Sequence, residues 1–243
     1  MTEEEWLKCA DLERLISFCK RSRRPQLRNA LISGNRERKQ RLFLVACCRR
    51  IPSGISESAS QKAIETAEAY ADGLSNRVAL EVAHSAARDL CRRVNASANY
   101  AGYCAACAAT EVSGLDFKQG FDRCLYCADC ASLAAAARRV PRQESHIDEV
   151  VRANEKAHQS CLLRDVFGNP FRPVTFLPAW RTDTAVSLAR QMYDSREFGA
   201  MPILADALQD AGCEDEQILM HCRDASQVHV RGCWVCDLVL GKE

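Results

Sequence analysis

Fifteen of the 243 residues are cysteine, and several pairs have the spacing of metal ligands. Cys104, Cys107, Cys124 and Cys127 form a C-x2-C-x16-C-x2-C pattern inside YCAACAATEVSGLDFKQGFDRCLYCADC, residues 103–130. Two chelating pairs of this kind suit tetrahedral zinc, which takes four thiolates at about 2.3 Å. Composition alone gives about one C-x2-C pair by chance, and the chain has four: 104/107, 124/127, 127/130 and 233/236. Cys124, Cys127 and Cys130 also make a C-x2-C-x2-C run, three corners of an iron–sulfur cluster, without the Cys-Pro element of bacterial ferredoxins. Against metal stands CAACAAT, which reads as uninterrupted helix, and cysteine replaces alanine comfortably on a buried helix face. The leading expectation is a helical hairpin packed through free thiols, with no cofactor. Zinc is the alternative and an iron–sulfur cluster the third reading.

A second constellation lies near the C-terminus: Cys213, His221, Cys222, His229, Cys233 and Cys236. In HVRGCWVC, His229 and Cys233 are four apart, the offset of one helix face, and His221 belongs to the preceding turn. Imidazole and thiolate together suit a Cys2His2 zinc site or, with one position open, a catalytic one. The competing expectation is a buried polar network with no ligand. Cys222 or Cys233 beside His229 would be the pair for nucleophilic catalysis. The chain has no G-x-S-x-G elbow, H-E-x-x-H, Walker loop or G-x-G-x-x-G, so no catalytic residue is assigned.

Charge is placed unevenly. Residues 20–50 hold eleven Lys or Arg and one acid, Glu37, and the first fifty residues carry +7 of a net +1, leaving −6 for the rest. Arg21, Arg23, Arg24, Arg28, Arg36, Arg38 and Lys39 are the residues of this segment that would contact an anionic partner such as nucleic acid. Few aromatic residues lie among them, so base stacking is not the expected mode. The strongest apolar run, LFLVACC, is far short of the roughly 20 residues of a membrane span. MTEEEWLKCA opens with acids rather than a secretory signal. With unpaired thiols, that leads to an expected cytoplasmic location and no membrane partner.

The elements that must position these groups read as helices. Thr2 and Glu5 make a capping box ahead of Leu12, Leu15, Ile16 and Cys19. Pro25, the SGN at 33–35 and Pro52 bracket a buried helix, KQRLFLVACCRRI. Ala63, Ala67, Tyr70 and Leu74 share one helical face, and Gly73 is a stop. Ser75 would cap a helix with the stripe Val78, Val82, Ala86, Leu90 and Val94. Three prolines and a glycine in CLLRDVFGNPFRPVTFLPAWRTDT forbid a continuous helix over 161–184. Thr182 or Asp183 caps the next helix, and Gly212 closes another that starts near Pro202. The expectation is an all-α multi-helix bundle of eight to ten helices, with an irregular Pro-rich crossover at 165–182. It divides into a 1–160 Ala/Cys-rich region and a 161–243 C-terminal region packed on it.

KQRLFLVACCRRI, AEAYADGLS, LLRDVFGNPFRPV, LPAW, MPILADALQDAGC, ILMHCR and HVRGCWVCDLVLGKE together resemble a family of alanine-rich proteins typical of planctomycete bacteria. The resemblance covers residues 2–20, 39–90 and about 161–243. It implies a helical fold and assigns no reaction. Most of the C-terminal Cys/His positions match the family motif, with Cys236 the exception. The chain departs from the pattern in a longer basic insert at 20–36. It departs again in the middle, where an Ala and Trp tract gives way to the cysteine cluster and SGLDFKQGFD. The functional expectation is a non-enzymatic helical interaction or accessory module engaging a protein or nucleic-acid partner. The alternatives are a zinc-stapled nucleic-acid-binding or regulatory protein, and a Cys/His-dependent enzyme.

Overall fold

The computed structural model of the chain describes residues 1–21, 36–51, 58–94, 99–116, 120–138 and 146–242. Arg23, Arg24 and Arg28, and the breaks expected at Pro25, 33–35 and Pro52, lie outside them. Among the described residues the protein is all-α, with twelve α-helices and one two-residue antiparallel ladder, β1 (Ala137–Arg138) against β2 (His146–Ile147). The helix number exceeds the expected eight to ten partly because the first amphipathic run is two helices. α1 (Glu3–Lys8) ends before Cys9, and Asp11 starts α2 (Leu12–Arg21) by accepting the Arg14 amide at 3.0 Å. The Thr2/Glu5 capping box forms as expected: Thr2 N–H donates to Glu5 at 2.8 Å and Glu5 N–H to Thr2 Oγ1 at 3.2 Å.

The chain divides into two compact units. One holds residues 8–21 and 36–160: α2, α3 (Arg36–Arg49), α4 (Ser58–Ala71), α5 (Arg77–Arg93), α6 (Tyr100–Val112), α7 (Gly120–Ala136), the ladder and residues 149–160 of α8 (Glu149–Phe167). Small side chains let its helices approach closely: Ala105, Ala106, Ala108 and Ala109 of α6 and Ala128 and Ala131 of α7 are buried. The hairpin expected around 103–130 is present as α6 and α7. α3 is buried nearly all round, charged residues included. Arg38 reaches Asp72 at 3.0 Å, Arg49 reaches Glu68 at 2.9 Å and Arg50 forks onto Glu155 at 2.8 and 2.9 Å. Arg41, fully buried, donates to the carbonyls of Val112 and Gly114 at 2.8 and 3.0 Å, capping the C-terminal end of α6.

One stripe is corrected. Of the expected core face of α5, Val78 and Val82 are exposed at 67 and 66% and Ala86 is exposed too, while Leu90 is buried as expected and shares the buried face with Leu80, Ala83 and Ala87. Ala83 and Ala87 are small enough to sit against neighbouring backbone, whereas a valine stripe would hold the helices apart. Asn76, not Ser75, caps this helix through the Ala79 amide at 2.9 Å.

The other unit holds Met1–Leu7 with residues from Cys161 onward. α8 runs to Phe167, past the expected start of the crossover, because the sequence reaches its first breaker only at Gly168, with φ +71°. An irregular stretch and a 3-10 turn at Pro178–Trp180 lead to α9 (Asp183–Ser195), capped by Thr182. α10 (Met201–Asp210), α11 (Glu216–Arg223) and α12 (Trp234–Leu240) follow. Their core is Ala185, Ala189, Met192, Tyr193, Leu204, Leu208 and Ile218. Asp215 starts α11 by accepting the Gln217 and Ile218 amides at 2.9 and 3.2 Å.

Candidate metal centre

Among the described residues, one group of His, Cys, Asp and Glu side chains converges as metal ligands do: Asp165, His221, His229 and Cys233, whose donor atoms lie within 4.8 Å of one another. α8 presents Asp165 near its C-terminal end, and α11 presents His221. His229 and Cys233 come from the segment before α12, and their approach corrects the helical offset expected of them. Residues 227–230 are irregular, and a tight turn closed by the Cys233 N–H on the Val230 carbonyl at 2.8 Å carries the chain back. Gly232 sits third in that turn with φ +98°, the left-handed position that a side chain would strain.

The donor atoms surround a common point. His229 Nδ1 lies 2.9 Å from Asp165 Oδ1 and 3.9 Å from Cys233 Sγ. His221 Nε2 lies 3.3 Å from the same carboxylate oxygen and 3.2 Å from the same sulfur. Zinc bonds of about 2.0–2.3 Å in a tetrahedron set ligand atoms about 3.3–3.8 Å apart, so small shifts bring this set to coordination distance. The other carboxylate oxygen accepts the Val230 N–H at 2.9 Å, which fixes the direction in which Oδ1 points. The two imidazoles meet edge to face at 4.8 Å, and Trp234 stacks obliquely on His221 at 5.0 Å.

All four side chains are buried, Asp165 and Cys233 completely. Burial would raise the Asp165 carboxyl, but hydrogen bonds from His221 and His229 overcome it and hold the group below its usual range. Burial likewise opposes charge on the imidazoles, yet the thiol and carboxylate facing them raise His221 to about 9 and His229 to about 10. Burial, then the neighbouring Cys236 thiol, pushes Cys233 well above its ordinary value. The pocket therefore stabilises positive charge at the point where the ligands meet.

Of the six C-terminal residues singled out in the sequence, His221, His229 and Cys233 are brought together. Cys213 and Cys222 are buried in the surrounding core, and Cys236 faces the Met201 sulfur at 3.7 Å. Asp165 was missed, although it lies in LLRDVFGNPFRPV; its signal is an acid flanked on the same helix by the buried residues Leu162, Leu163, Val166 and Phe167.

The middle cysteines are arranged differently. Cys127 faces Cys48 across 3.9 Å, Cys107 faces Cys91 across 3.1 Å, and the Cys124 thiol, raised first by burial, is raised further by Cys19 of α2. Cys130 approaches Cys107, with Cys104 alongside. The two pairs therefore do not converge as a set of four: Cys127, Cys107 and Cys124 face thiols on α3, α5 and α2, and across the hairpin Cys107 meets Cys130. Of the basic residues, Arg38 and Lys39 are buried, and Arg21 and Arg36 are exposed. No helix among the described residues is long and apolar enough to cross a membrane. No family model, curated protein or solved structure matches the chain, so the reading of the centre rests on its own geometry.

Proposed function

We propose that this protein is a non-enzymatic helical accessory module in which the unit from Cys161 onward is pinned by one structural divalent metal, zinc, and which acts by engaging a partner protein. The observation that carries the reading is the convergence of four donor atoms from three parts of the chain. One carboxylate and one thiolate bring two negative charges to a dication, and two neutral imidazoles add none. The loaded centre is then electrically neutral, as a buried site needs to be. Oxygen, nitrogen and sulfur donors together suit zinc, whereas calcium and magnesium take oxygen. With four protein donors, zinc has no open position for a substrate, which is the pattern of structural rather than catalytic centres.

The buried Cys222 and Cys233 are poorly placed to act as nucleophiles. The exposed stripe of Leu74, Val78 and Val82 on and beside α5 gives the molecule an apolar face of the kind partner proteins cover. All four donors fall in stretches that carry the resemblance to the alanine-rich family, and membership in it is part of this proposal. The test is metal analysis of the purified chain, followed by cobalt substitution. We expect one zinc per chain, and cobalt spectra with tetrahedral d–d bands and a thiolate charge-transfer band that Cys233→Ser removes. A metal-free protein that takes up neither ion stoichiometrically would overturn the metal reading.

A further inference from the structure

Cys91 and Cys107 stand apart from the other thiols in their geometry. Their sulfurs are 3.1 Å apart, inside ordinary van der Waals contact, where α5 and α6 pack together. Cys91 is half-buried, near the C-terminal end of α5, and Cys107 is 6% exposed on α6. A third thiol, Cys130 of α7, and the Tyr103 hydroxyl also hydrogen-bond to Cys107. The Cys48–Cys127 pair is a useful contrast, since its sulfurs are 3.9 Å apart and both are sealed in the core.

We propose that Cys91 and Cys107 are a hydroperoxide-oxidised thiol pair that closes to an intrachain disulfide linking α5 to α6. Cys107 is the attacking sulfur. Hydrogen bonds from Cys130 hold its thiol down to about 6 against burial, with further help from Cys91 and Tyr103. Its thiolate attacks one peroxide oxygen, so an S–O bond forms, the O–O bond breaks and hydroxide leaves to take a solvent proton. The product is a sulfenic acid at Cys107. Cys91, whose thiol burial and the Cys107 contact push up to about 12, keeps its proton until this second step. Its sulfur attacks Cys107 Sγ, the S–S bond forms, the S–O bond breaks, and the hydroxyl departs as water with the Cys91 proton. The two thiols give up two electrons, and one peroxide becomes two waters. Closing the pair requires the sulfurs to approach by about 1 Å, to the ~2.05 Å of a disulfide, which the meeting of two helix faces permits.

The experiment treats the reduced full-length chain with equimolar hydrogen peroxide, alkylates the remaining thiols and maps disulfide-linked peptides by mass spectrometry. The Cys104→Ser variant runs in parallel, because Cys104 and Cys107 share a tryptic peptide. We expect the 91–107 link to form before any other, to persist in Cys104→Ser, to consume two of the fifteen thiols and to reverse with dithiothreitol. In Cys91→Ser, Cys107 should instead accumulate as a sulfenic acid trapped by a dimedone-type probe. Failure to find the link at excess peroxide, a first link through another pair, or a Cys91→Ser protein in which Cys107 stays unlabelled would each overturn the proposal. This outcome is independent of zinc, which belongs to the other unit.

Discussion

At the scale of single residues, Asp165 carries more than any other side chain. It faces two imidazoles and one backbone amide from a fully buried position. Asp165→Asn keeps the shape but removes the charge, leaving the imidazoles without their anion. We expect loss of stoichiometric metal and a destabilisation of about 3–5 kcal/mol, the usual result of breaking a buried charged pair. Cys222→Ala, one residue from His221 yet outside the cluster, should keep its metal and lose only about 1 kcal/mol. Metal analysis with denaturant unfolding separates the two variants. The sequence exposed His221, His229 and Cys233 because imidazole and thiol pairs are uncommon. Asp165 looked like any helical acid, since only the tertiary structure shows that it is fully buried beside Leu162, Leu163, Val166 and Phe167.

At the scale of elements, the basic helix α3 is the clearest departure from the sequence reading. A run of Arg and Lys reads as a surface for anions, yet much of its charge is taken up inside the unit by Asp72, Glu68 and Glu155 and by the α6 carbonyls. Apart from Glu37, four residues before Arg41, the acids that neutralise it lie 19 to 105 residues away, so local charge counting could not pair them. Arg41 is the sharpest case. Arg41→Met keeps much of its apolar stem and removes the cap from α6, which leaves the Val112 and Gly114 carbonyls without this donor. We expect a loss of about 3 kcal/mol in chemical unfolding. A cost within a few tenths of that of an ordinary surface change would show that those carbonyls find water instead. Helix starts and stops were more legible. The Thr2/Glu5 box, Thr182, Gly73 and Gly212 act through groups within a few residues of themselves, so the structure places them as local chemistry dictates.

At the scale of the whole molecule, helical periodicity and the absence of alternating β-branched runs were enough to give the all-α class. The face each helix buries was harder to read, as Val78 and Val82 show, because an alanine-rich helix has weak hydrophobic contrast around its circumference. The division into two units also ties Met1–Leu7 to the chain after Cys161, where Asn169 donates to Glu3 at 2.8 Å and Arg164 to the Trp6 carbonyl at 3.2 Å. Metal binding adds its free energy to the folding of the unit that holds it. Amide hydrogen exchange in the presence of a strong chelator should therefore speed up in α9–α12 and the end of α8. Amides of α6 and α7 should be little changed. Uniform acceleration throughout the chain would instead show that the two units unfold as one.

The end of α8 has a consequence for ion capture that side-chain chemistry alone does not convey. Asp165 sits in the last turn of a 19-residue helix, where the aligned peptide dipoles leave roughly half a negative charge. The carboxylate and the helix terminus therefore both favour a cation near the end of α8. Asp165→Asn removes only the first of these, so that protein should retain a weak, easily exchanged affinity for divalent ions. Fraying the final turn of α8 removes both.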